Sequence, residues 1–146
     1  MKKFEIVVFN LLTILCLFSC GTKNQDSQAK AEIQSVIDQA NSACPQYLDM
    51  GNGVTLLSIQ YQGDKVVYDY KVNKIGDDIE TYLEDLKHSM LYMCKAEAQA
   101  SPVNKAFFNN LVKTGTRIVY YYHNNSGKSF YVEISADDLK EVIGIQ

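Results

Sequence analysis

Apolar residues recur along this chain in two rhythms. From 28 to 43 they fall three and four apart, at Ile33, Val36, Ile37, Ala40 and Ala43, the spacing of one helix face. Asp26 or Ser27 can cap that helix, and Pro45 stops it. From 54 the rhythm becomes two. Thr55, Leu57, Ile59 and Tyr61 share one face, and after Gln62-Gly63-Asp64-Lys65 so do Val66, Tyr68, Tyr70 and Val72, which together read as a β-hairpin. Helical spacing returns after Gly76 with Ile79, Leu83, Leu86, Met90, Met93, Cys94 and Ala98, and Asp77 with Glu80 is placed as a capping box. Ser101-Pro102 ends that helix and starts another, which carries Val103, Phe107, Phe108, Leu111 and Val112 and is closed by Gly115. Two more alternating runs flank the turn at 124–127. They put Ile118, Tyr120 and Tyr122, then Phe130, Val132 and Ile134, on buried faces, and Ser135 with Asp138 opens a short last helix.

The order is helix, hairpin, helices, hairpin, short helix. It predicts an α+β fold: a four-stranded antiparallel sheet with helices packed on one face, forming a single domain over 28–146.

The first 27 residues follow neither rhythm. Met1-Lys2-Lys3 is positive, 6–18 is mostly apolar, and Ser19 precedes Cys20, the layout of an export leader. An apolar helix of about 13 residues is about 20 Å long, short of the ~30 Å bilayer core. The chain therefore divides into a leader at 1–19, a polar tether at 20–27 and the domain. Leu17-Phe18-Ser19-Cys20, followed by Gly21, resembles the bacterial lipobox. That resemblance implies cleavage before Cys20, a lipid on its thiol, an acyl chain such as palmitate on the new amino group, and so a membrane-anchored lipoprotein of the cell envelope. With Gly21 rather than aspartate after the cysteine, it implies the outer membrane. The alternative is an ordinary cleaved secretory leader.

The net charge of −3, with no basic run, argues against a nucleic-acid partner. Of four cysteines, Cys16 leaves with the leader and Cys20 is the lipidation site. Cys44 and Cys94 remain in an oxidising compartment, so a disulfide bond between them is expected; the alternative is two buried free thiols.

Candidate chemistry is sparse. His88, Met90, Met93 and Cys94 are soft ligands of the kind that suits copper(I), but methionines at this spacing belong to a core stripe, and no metal or cofactor is expected. There are two histidines, His88 and His123, and neither a G-x-S-x-G elbow nor a glycine-rich phosphate loop. The expectation is a protein that is not an enzyme. Ten tyrosines are the odd feature. If Tyr120 and Tyr122 face the core, then Arg117, Tyr121 and His123 face out, with Tyr131 and Glu133 beside them on the next strand. That mixture fits a protein-binding patch. The alternative is a small-molecule or glycan module in which the tyrosines stack on the ligand.

Cys44-Pro45, Tyr68-Asp69-Tyr70, Cys94, Gly115, Tyr120-Tyr121-Tyr122 and Gly127 occur in an order that resembles a group of small uncharacterised bacterial envelope proteins. The same α-β-β-α-β-β order is similar to that of type II secretion pilotins, lipoproteins that carry secretin subunits to the outer membrane. This implies an envelope protein as partner. No secretin-contacting residue can be matched onto this chain.

Overall fold

The computed structural model describes residues 25–51, 53–74 and 77–144. The leader, Cys20, most of the tether and the Asp77 side chain of the expected capping box lie outside them. Helix α1 (Gln25–Asn41) buries Ala29, Ile33, Ile37 and Ala40, the stripe its spacing predicts, and starts three residues earlier than expected. Strands β1 (Gln46–Asp49), β2 (Val54–Tyr61) and β3 (Lys65–Val72) follow. A 3₁₀ turn (Asp77–Tyr82) leads into α2 (Leu83–Ala100) and then α3 (Pro102–Lys113). Strands β4 (Arg117–Asn124) and β5 (Ser129–Ile134) and helix α4 (Ala136–Ile143) complete the order. Ser101 caps α3, accepting from the Asn104 N–H with proline in the first turn. Ser135 and Asp138 cap α4 reciprocally.

The sheet has five strands in the order β1-β2-β3-β4-β5, and β3 runs parallel to β4. The expected four antiparallel strands are therefore corrected on both counts. β1 is the added strand, pairing antiparallel with β2. The parallel pair arises because two helices, rather than a turn, join the hairpins, and such a crossover returns the chain to the end where β3 began.

Helices α1 and α2 pack on one face of the sheet, with α3 and α4 against them. Ile33, Leu111, Ile118, Ile134 and Leu139 are fully enclosed between these layers. One phase expectation fails in β2. The register shifts between Leu56 and Ser58, a β-bulge that inserts one residue and reverses the alternation. Leu56 (6 % exposed) and Ile59 point to the helices, while Leu57 (38 %) points out. Asn41 at the end of α1 accepts from the Ile59 N–H at 2.8 Å, which fixes the strand just past the bulge. Gly53 is required in the turn before β2. Its φ is +66°, and an added Cβ would lie 2.5 Å from Asn73 Nδ2.

Candidate functional site: the open face of the sheet

The face opposite the helices is uncovered among the described residues, and alternation decides what stands on it. Odd-numbered positions of β3, β4 and β5 point outward. Lys65 lies beside Arg117, Val67 beside Val119, Asp69 beside Tyr121, and Lys71 beside His123. Across β4, Val119 pairs with Glu133, Tyr121 with Tyr131 and His123 with Ser129. The five residues expected to form a patch, Arg117, Tyr121, His123, Tyr131 and Glu133, thus occupy one contiguous surface.

Polar contacts organise that surface. Arg117 reaches Asp64 Oδ2 at 3.1 Å through Nη2 and Glu133 Oε2 at 3.6 Å through Nη1, and so spans three strands' worth of backbone. His123 Nε2 lies 2.7 Å from Asp69 Oδ1, and its Nδ1 lies 2.7 Å from Ser129 Oγ. Tyr121 lies parallel to His123, with ring centroids 6.4 Å apart, and tilts against Tyr131 at 5.8 Å. Val119, beside Val67 and Glu133, is only 3 % exposed although it faces outward. Tyr131 remains 58 % exposed. An aromatic, apolar centre ringed by oriented charges suits a protein surface.

Sequence reasoning missed Asp69 and Ser129 as partners of His123. Ser129–His123–Asp69 has the order of a nucleophile, base and carboxylate, but it lies on an open sheet. A groove between α2, α3 and α4, lined by Lys95, Gln99, Pro102, Lys105 and Ile143, belongs to the other layer of the fold and receives none of the three.

The opposite side of the same strands is a tyrosine wall. Tyr68 stacks on Tyr120 at 5.0 Å and Tyr70 on Tyr122 at 5.3 Å, and the Tyr122 hydroxyl reaches Met90 Sδ at 3.7 Å. Burial pushes all four phenols well above their ordinary range. Met90 and Cys94 are core residues of α2, as their stripe implied. The expected Cys44–Cys94 disulfide is not formed: both are free thiols, Cys44 half-buried and Cys94 buried. The Cys94 sulfur lies instead in the core beneath the wall, where burial, with Glu97 nearby, pushes its thiol up to about 12 against a lowering influence of Tyr120.

No protein-family model and no curated protein matches the sequence. Two solved structures are similar to it. One is a Pseudomonas aeruginosa protein described as secreted, at TM-score 0.54 and 8 % identity over 82 % of this chain and 99 % of that one. The other is a pilotin of the Vibrio vulnificus type 2 secretion system, at TM-score 0.49 and 11 % identity over 79 % and 94 %. The first shares the fold; at these identities neither assigns a role to a residue.

Proposed function

We propose that this chain is a lipid-anchored protein of the cell envelope that is not an enzyme and captures another envelope protein on the open face of its sheet, as a pilotin-like assembly factor. The leader and lipobox support the anchor at Cys20 and a place at the outer membrane. The observation that carries the binding role is the convergence of Arg117, Tyr121, His123, Tyr131 and Glu133 around the buried Val119.

The test is capture of partners by the tagged full chain from detergent-solubilised envelopes. Y121A with Y131A should lower capture at least about tenfold, since central tyrosines at interfaces each contribute about 1–2 kcal/mol. The thermal midpoint should stay near wild type. Undiminished capture by the double variant would refute this choice of surface. A Cys20→Ser chain that captures as well as wild type would place the interaction in the domain and leave the lipid as an address.

A further inference from the structure

The two edges of the sheet are built differently. β1 is four residues long, follows Pro45 and slips register at Tyr47/Asp49, features that blunt an edge against pairing. β5 has none of them. It is six residues long, without proline or glycine, and keeps an unbroken register with β4 from Ile118–Ile134 to His123–Ser129. Among the described residues no strand pairs with its outer side.

The backbone phase of that edge is fixed by the hairpin. Asn124 N–H donates to Lys128 C=O at 3.0 Å. Tyr122–Phe130, Tyr120–Val132 and Ile118–Ile134 are therefore the pairs that exchange hydrogen bonds within the sheet. The N–H and C=O groups of Ser129, Tyr131 and Glu133 point the other way, toward the open edge. Their side chains stand on the open face, beside Tyr121 and Arg117.

We propose that a second copy of this chain pairs antiparallel with β5 through these three residues, joining two sheets into one of ten strands across a two-fold axis. The edge is complementary to itself in one register. Tyr131 lies opposite its own copy, and Ser129 lies opposite Glu133 of the second chain. All three positions then exchange backbone hydrogen bonds. No carboxylate opposes a carboxylate, and Glu133 is already held by Arg117. Lys128 falls opposite Ile134, so no cations meet either. The axis stands perpendicular to the sheet, so both open faces lie on the same side. Their tyrosines form one band, Tyr121 and Tyr131 running into Tyr131 and Tyr121 of the second copy. The proposal does not depend on which partner the face captures.

Cysteine cross-linking of the full chain in its own envelope tests the register. Hydrogen-bonded antiparallel neighbours have Cα atoms about 5.5 Å apart, within disulfide reach, while position 133 and its own copy would stand about 14 Å apart. Under mild oxidation, Y131C should give a reducible dimer band at least tenfold stronger than E133C. Mass spectrometry should find position 131 joined to itself. Combining S129C with E133C should restore the dimer band lost with E133C alone. Equal cross-linking by Y131C and E133C, or none by Y131C in a folded protein, would overturn the pairing. So would a wild-type chain that sediments as a monomer in detergent.

Discussion

Cys94 offers a quantitative check on the buried layer. Its thiol lies at 5 % exposure under the tyrosine wall. Burial first, and then Glu97 on the next turn of α2, push its pKa from 9.0 up to about 12 against the lowering influence of Tyr120. Only the thiolate attacks an alkylating reagent. At pH 8 an ordinary cysteine is about one-tenth ionised, and a thiol at about 12 is about one ten-thousandth ionised, so native Cys94 should react on the order of a thousandfold more slowly than in the unfolded chain. Half-buried Cys44, whose thiol burial also raises, should react faster than Cys94 but slower than a free cysteine. The assay is iodoacetamide labelling followed by peptide mass spectrometry, with a guanidinium-unfolded reference. The Cys94 rate should climb about tenfold per pH unit across the accessible range. Labelling of Cys94 within tenfold of the unfolded rate, in a protein that keeps its fold, would refute the packing. A peptide linking Cys44 to Cys94 would show a bond that this structure lacks.

Two further outcomes follow from the same geometry. The bulge in β2 predicts that L56A costs about 2–5 kcal/mol as a core truncation, while L57A costs under about 1 kcal/mol; urea denaturation of both variants checks this, and the reverse ranking would restore unbroken alternation. Burial pushes the Glu97 carboxyl above 4.5, so the folded state disfavours its charge, and stability present below that value is lost as pH rises through the raised folded value. E97Q should therefore gain stability over wild type as pH rises from about 4.5 and hold a constant gain above the folded value, read from denaturation midpoints across pH.

What the sequence made legible is what periodicity can carry. The alternation of β4 and β5 put Arg117, Tyr121, His123, Tyr131 and Glu133 on one face, as the strand register does, and the helical stripes placed Ile33, Ile37, Met90, Cys94 and Leu111 inside. Leu57 misled because the alternation restarts across the bulge with leucine at both 56 and 57, so either phase satisfies the pattern. β1 was invisible because four residues, Gln46 to Asp49, are too few to show a period. The direction of β4 relative to β3 depends on how two helices cross the sheet, and no local residue records it. That one gap concealed the Asp69–His123 contact, since only the parallel register sets Lys71 beside His123 and leaves Asp69 diagonal to it. The cysteine pair failed for a different reason: compartment and count bear on whether a bond is allowed, while packing under Tyr120 decides what the sulfur meets.

The abundance of tyrosine then has a structural account. Tyr120-Tyr121-Tyr122 is split by the pleat, two rings into the wall and one onto the open face. The buried pair stacks on Tyr68 and Tyr70 of β3, which ties β4 to β3 from beneath. The tyrosine wall and the open face are thus two sides of the same strands: the pleat that turns Tyr120 and Tyr122 toward the helices is what sets Arg117, Tyr121 and His123 together on the uncovered surface.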